Sequence, residues 1–320
     1  MTVARPPYDP ELHRILETRF AGGPPPLGPG TLHRTRAIGA AMFTPIGTVV
    51  EGTGLEHTEH AVPGPSGAPD VTLSVVRRPA TAAPVPCVYF IHGGGMVAGN
   101  RHMGAHLFVR LVERFDVTVV SVEYRLPPEH PHPAPVDDCY AGLEWVAANH
   151  AALGIDPARI LVMGGSAGGG LAAAVALAAR DRGGPALIGQ VLMAPMLDDR
   201  DATLSTRQYE DGALWTRGSN RFAWSALLGP DRNGDVPEYA APARATDVAG
   251  LPPAYIDAGS AEIFRDEAVA YASRIWAAGG QAELHIWSGG FHGFMMAAPS
   301  VVSRGAQDAL DNWLTRLLAA

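Results

Sequence analysis

From Val71 onward the chain alternates short β-branched runs with helical stretches, and this order constrains the fold more than any other feature. The runs are VTLSVVRRP, PCVYFIHGGG, VTVVSVEYRLPP, ARILVMGGSAGGG, GQVLMAPML, PPAYIDAGS and AELHIWSGG. Between them the apolar spacing predicts helices near 105–115, 137–149, 168–180, 265–278 and 303–318. Parallel strands need a crossover of a dozen or more residues, usually a helix, so the order implies a mostly parallel sheet covered by helices on both faces. The expected class is α/β. A chain of 320 residues with 47% hydrophobic content is large enough to bury such a core.

Two stretches stand outside the alternation. Asp9-Pro10-Glu11 reads as an N-cap, a first-turn proline and a first-turn acid, opening a helix to about Phe20. A breaker-rich linker, AGGPPPLGPG, spans 21–30, and a second short helix is expected over 31–43. Residues 1–50 are therefore expected to form a helical cap segment and 51–320 the main domain. Within that domain 198–240 carries Tyr209, Trp215, Phe222, Trp224 and Tyr239 with few strand signals. It reads as an insertion that packs near the N-terminal helices, its aromatics forming cap core.

Composition removes whole classes of function. All 24 basic residues are arginine, so a lysine Schiff base, a Walker phosphate loop, a kinase strand lysine and a Ser-Lys dyad are excluded. A net charge of -8 without any arginine run lacks the basic face that displaces counterions, so no nucleic-acid partner is expected. The longest strongly apolar stretch, 171–179, is about half of the roughly 20 residues a bilayer span needs. No membrane association is expected. The first residues show no apolar secretory segment, which points to a cytoplasmic location. Cys87 and Cys139 form neither a disulfide framework nor a metal spacing and read as buried small side chains. His130 and His132 sit among prolines without a third ligand, and Asp198, Asp199 and Asp201 read as a solvated charge run. No metal or cofactor is expected.

The chemistry concentrates in three places. Gly164-Gly165-Ser166-Ala167-Gly168 follows the strand ILVM and precedes the helix GGLAAAVALAA. A serine on a sharp strand-to-helix turn needs small neighbours two residues to either side, and the helix N-terminus behind it favours developing negative charge. Upstream, His92-Gly93-Gly94-Gly95 closes the strand CVYFI, and consecutive glycines leave backbone N–H groups unobstructed, as an oxyanion hole requires. Two histidines follow Ser166. His285 lies within the strand pattern AELHIW, whereas His292 lies in the glycine-flanked loop just past it, where open α/β sheets carry their sites. His292 is the expected base. The orienting acid should follow a strand between the serine and the histidine; Glu262 fits, Asp266 is its rival at the next helix start, and Asp257 lies inside the strand.

HGGG, YRLPPEHPHPAPVDD at 124–138, GGSAGGG and FHGF, in this order, resemble the bacterial hormone-sensitive lipase family of α/β-hydrolase carboxylesterases over about 71–318. The resemblance implies that Ser166 is the nucleophile and His292 the base, with the N–H groups of Gly93, Gly94 and Ala167 as oxyanion donors. It also implies a cap made by the N-terminal helices and part of the insertion. The family's usual acid is an aspartate in a DPLRDE-like run; here Glu262 takes that position and Arg265-Asp266-Glu267 follow it. The residue before the nucleophile, usually acidic, is Gly165. The expected activity is hydrolysis of short to medium acyl esters through an acyl-enzyme, with a small-molecule ester as the partner. An amide, lactone or acetylated small molecule, or a noncatalytic ligand receptor on this fold, are the alternatives. Monomer and homodimer both remain open.

Overall fold

The computed structural model describes residues 3–20, 27–79, 83–211, 213–229, 234–297 and 300–319. Residues 21–26 of the breaker-rich linker lie outside them. The elements in order are α1 (Pro10–Arg19), α2 (Leu32–Met42), α3 (Ile46–Val50), β1 (Glu56–Val62), β2 (Val71–Arg77), β3 (Val85–Ile91), α4 (Ala105–Phe115), β4 (Thr118–Glu123), α5 (Ala134–Ala148), α6 (His150–Leu153), β5 (Ile155–Gly165), α7 (Ala167–Asp181), β6 (Leu187–Met193), α8 (Leu204–Gln208), α9 (Arg217–Leu228), β7 (Ala254–Gly259), α10 (Arg265–Ala277), β8 (Ala282–Trp287), α11 (Phe294–Ala297) and α12 (Val301–Ala319).

The strands form one eight-stranded sheet in the order β1-β2-β4-β3-β5-β6-β7-β8. β1 and β2 run antiparallel to their neighbours, and from β4 to β8 every pairing is parallel. The seven runs found in the sequence are β2 to β8. β1 was not anticipated: its sequence EHTEHAV has no apolar run, because an edge strand pairs through its backbone with β2 and buries little besides Val62.

Alternation along each strand divides the core. On β3, Val88 and Phe90 face Phe108 and Leu111 of α4 and Trp313 of α12, whereas Cys87, Tyr89 and Ile91 face the layer of α5, α7 and α10. Truncating a side chain as fully buried as Phe108 would cost about 3–5 kcal/mol. α7 is buried around its whole circumference from Ala167 to Ala179, which is why its sequence is apolar on every side.

The first fifty residues divide between two places. α3 packs with α4 in the layer beneath the sheet, through Ile46 and Val50. α1 starts as expected, with the Asp9 carboxylate accepting the N–H groups of Glu11 and Leu12. It lays Leu12 on Phe291 in the loop after β8 and on Phe294 at the start of α11, and the Asp9 N–H donates to Gly289 O at 3.1 Å. Leu27 and Leu32, at the start of α2, pack on Val97, Trp215 and Phe222. Among its described residues the 198–240 stretch holds α8 and α9, and it meets the N-terminal residues through Gln208 to Ala4 O at 2.5 Å and Arg5 to Asp211 at 3.0 Å.

Candidate active site

β5 ends at Gly165 and α7 begins at Ala167, leaving Ser166 in the turn with φ 57° and ψ -123°. A side chain held there costs about 1–3 kcal/mol, so the surroundings must enforce it. They do so by close backbone approach. A Cβ on Gly168 would lie 2.0 Å from Ile91 O, and one on Gly164 would lie 2.2 Å from Gly168 O. Both positions require glycine. Gly165 does not, since its nearest neighbour would be Met193 at 3.7 Å, ordinary contact. Hydrogen bonds complete the brace: Ser166 N–H donates to Met193 O at 2.8 Å, and Met196 N–H donates to Ser166 O at 3.0 Å.

The glycine turn after β3 lies against this serine. A Cβ on Gly93 would come within 3.4 Å of the Ser166 Cβ. Gly94, Gly95 and Met96 follow with φ of 112°, 63° and 63°, three left-handed residues in succession. The His92 Nδ1–H donates to Gly93 O at 2.8 Å. Because that peptide is planar and trans, holding the Gly93 carbonyl on the ring side turns the Gly94 N–H the opposite way. Complete burial pushes the His92 pKa down and keeps the ring neutral. Tyr124 stacks on the ring at 4.1 Å, and its hydroxyl donates to His92 O at 2.9 Å. Ala167, the first residue of α7, presents an N–H that has no intrahelical acceptor.

The loops after β7 and β8 bring in the other two groups. His292 Nδ1–H donates to Glu262 Oε2 at 2.9 Å, and its Nε2 accepts from the Ser166 hydroxyl at 2.9 Å. The Glu262 side chain is fully buried and that of His292 is 14% exposed, so the row is shielded behind the ring and open at the serine end. The acid loop is pinned to the base loop by Ser260 N–H to Trp287 O at 2.8 Å and Ala261 N–H to Gly290 O at 3.0 Å. Glu262 Oε2 also accepts the Phe264 N–H at 3.2 Å, folding the longer carboxylate arm back onto its own loop. The Phe264 ring meets His292 edge-on at 5.1 Å, and Trp215 approaches it at 6.4 Å.

The other candidates lie elsewhere. Asp266 accepts the Ser205 N–H at 2.8 Å and pairs with Arg265, tying α10 to α8. His285 pairs with Glu283 on β8 and stacks on Trp287. Asp257 is buried beside Trp287 Nε1; burial, with the nearby Glu262 charge adding to it, pushes its pKa up to about 7. Glu267 is buried too and accepts the N–H groups of Leu197 and Asp198, its pKa raised first by burial and then by Asp198. Asp198, Asp199 and Asp201 correct the expectation of a solvated run. All three are buried, paired with Arg200, with Arg244, and with both Arg217 and Arg221. Buried carboxylates need such partners, and most of these lie too far along the chain for sequence to pair them. Cys87 and Cys139 are free and buried. Among the described residues no helix is long and apolar enough to cross a membrane.

Two residues of the site were not singled out by sequence. His92 stands inside the HGGG motif, whose glycines carry the oxyanion reading, although it is the His92 ring that holds the Gly93 carbonyl. Trp215 read as cap core; it does join Leu27 and Phe222, yet it also covers Gly95, where a Cβ would meet its Cη2 at 2.3 Å.

Comparison with known proteins places the chain among proteins of this architecture. The sequence profile of the family described as alpha/beta hydrolase fold matches residues 88–296. Carboxylesterase NlhH of Mycobacterium tuberculosis is 34% identical over 335 residues, covering 100% of this chain and 98% of the relative. Esterase LipI of the same organism is 35% identical over 253 residues, covering 77% and 78%. Of solved structures, a bacterial heroin esterase superposes with a TM-score of 0.90 at 38% identity, covering 97% of this chain and 98% of that one. Esterase LipW of Mycobacterium marinum gives 0.85 at 31% identity, covering 98% of each.

Proposed function

The chain belongs to the α/β-hydrolase family and is a carboxylic ester hydrolase, and from that premise we propose that it works through Ser166, His292 and Glu262 by way of an acyl-enzyme. The observation that carries this reading is the unbroken hydrogen-bonded row from the strained Ser166 through His292 to buried Glu262. Ser166 Oγ attacks the ester carbonyl as its proton passes to His292 Nε2. Glu262 holds the ring in the tautomer that leaves Nε2 free to accept, and stabilises the imidazolium that forms. The carbonyl oxygen becomes an anion facing the N–H groups of Gly93, Gly94 and Ala167, worth a few kcal/mol in a site already organised for it. Collapse releases the alcohol, which takes the proton from His292. Water then attacks the acyl-enzyme with the same base.

The cap reading rests on α1, α2 and the 198–240 stretch, which pack over the loops that carry His292 and the glycine turn. Trp215 over Gly95 narrows the space beside the serine, which favours short to medium acyl groups and a soluble ester. The two unpaired cysteines support a reducing, cytoplasmic setting.

The test is labelling with an organophosphate followed by peptide mass spectrometry, together with hydrolysis of soluble esters of rising acyl length. A phosphoryl adduct on Ser166, with faster turnover of butyrate than of emulsified long-chain triglyceride, is expected. An unlabelled serine in active protein would overturn the mechanism; preference for the triglyceride would overturn the pocket.

A further inference from the structure

We propose that Arg36, on α2, is a positioning residue that fixes the oxyanion turn from outside the hydrolase core. The inference rests on the reading of Ser166 and the glycine turn given above. Arg36 Nε–H donates to Val97 O at 2.7 Å, and Nη2 donates to Pro127 O at 2.8 Å. The same guanidinium holds both oxygens of Glu129 at 2.8 and 2.7 Å, which draws that carboxyl down to about 2 and keeps it ionised. Four acceptor oxygens from three residues thus fix the fork in one orientation, and a lysine ammonium has no planar geometry with which to satisfy them together.

The Val97 carbonyl is the informative contact. It shares a peptide plane with the Ala98 N–H, which donates to Gly94 O at 3.0 Å; the Val97 N–H donates to the same oxygen at 3.2 Å. Arg36 therefore grips one end of a plane whose other end closes the turn onto Gly94. Residues 94–96 are all left-handed, and Met96 is not glycine, so the turn holds its shape only while its ties hold. His92 secures the Gly93 side from within the core, and Arg36 secures the Val97 side from α2. Val97 is fully buried, so no solvent competes for that carbonyl. The N-terminal segment thereby helps hold the turn that carries the Gly94 N–H as well as covering the site.

The experiment compares the wild type, Arg36→Met and Arg36→Lys in kcat and KM for a soluble butyrate ester, and in inhibition by a trifluoromethyl ketone. The ketone's adduct with a serine carries an oxyanion where the transition state does. Arg36→Met is expected to lower kcat and ketone affinity in parallel by at least about tenfold, with KM little changed, because a misplaced donor costs transition-state binding first. Arg36→Lys should recover part of both losses. Wild-type ketone affinity in Arg36→Met, or a kcat loss that ketone affinity does not follow, overturns the proposal. Should Arg36→Met not fold, Arg36→Lys decides: a parallel fall in both quantities supports the clamp, and wild-type values overturn it. A wild type that the ketone fails to inhibit would instead bring down the serine mechanism, and this inference with it.

Discussion

The turn around Ser166 and the arms above it are built by opposite means. At 164–170 backbone lies on backbone, and adding one carbon to Gly168 would drive it to 2.0 Å from Ile91 O. In the 198–240 stretch ion pairs between side chains carry much of the bracing, as Asp201 does with Arg217 and Arg221 and Asp199 does with Arg244 just beyond it, beside a backbone bond from the Arg217 N–H to Tyr209 O at 2.9 Å. In the first region geometry dictates residue type, and a motif results. In the second many side-chain sets could hold the same shape, so the stretch carries no motif. The site is assembled where the two meet, with Ser166 from the rigid turn and Trp215 from the arm.

The largest test of this division removes the proposed nucleophile. Ser166→Ala should lower kcat by at least about 10⁴-fold, and His292→Gln nearly as far, with melting temperatures close to the wild type. His285→Gln should leave kcat within a few-fold and show itself in thermal melts. Steady-state kinetics beside melts would expose the reverse ranking.

Next come the acids. Glu262→Gln keeps the size but presents an amide donor to the ring, and kcat should fall by about 10²–10⁴-fold. Glu262→Asp should retain partial activity, limited by reach. Asp266→Asn loses contacts to Ser205 and Arg265 that never touch His292, so its effect should appear in stability, about 1 kcal/mol. If Asp266→Asn were the inactive variant, the acid would have to be reassigned.

Within the turn itself, Gly168→Ala should destabilise by more than about 3 kcal/mol or prevent folding, because backbone would have to move. Gly165→Ala, directly before the strained serine and three residues before that forbidden site, should stay within about 0.5 kcal/mol. Chemical denaturation of the pair measures both; equal costs would show that backbone crowding is not what selects these glycines.

A further expected effect, on stability alone, is in pH. Asp257 has an ordinary pKa of 3.8 when unfolded and about 7 when folded. Between those values the folded protein holds a proton that the unfolded chain has lost, so this residue makes stability fall as pH rises from about 4 to about 7. Asp257→Asn keeps an acceptor for the Trp287 indole and cannot ionise. Its melting temperature should match the wild type near pH 4 and exceed it by a few degrees at pH 8. A constant offset at every pH would contradict the assignment.

Legibility followed the same division. Strand–helix alternation located β2 to β8 and the helices that cover them, since those elements bury one face or more and their periodicity records it. β1 went unseen because EHTEHAV sits at an edge. GGSAG, HGGG and the loop at His292 were legible because each must avoid a side chain or place one at a strand end. The burial of Asp198, Asp199 and Asp201 was not: the arginines that neutralise Asp199 and Asp201 come 16 to 45 residues later, and no local pattern links them. Arg36 lay further out of reach, since its partner Val97 is 61 residues away and is a carbonyl, which any residue could supply.

α7, enclosed on every side, starts directly after Ser166, whereas α1 and α2 expose much of their surface. Amide protons in the middle of α7 can then exchange with solvent only when the whole molecule opens, while those of the two outer helices exchange through local fraying. Warming would loosen the roof before the floor. Ser166 would be among the last groups to lose its place, and heat inactivation would begin as an untying of the turn beside it, in a protein whose sheet is still intact.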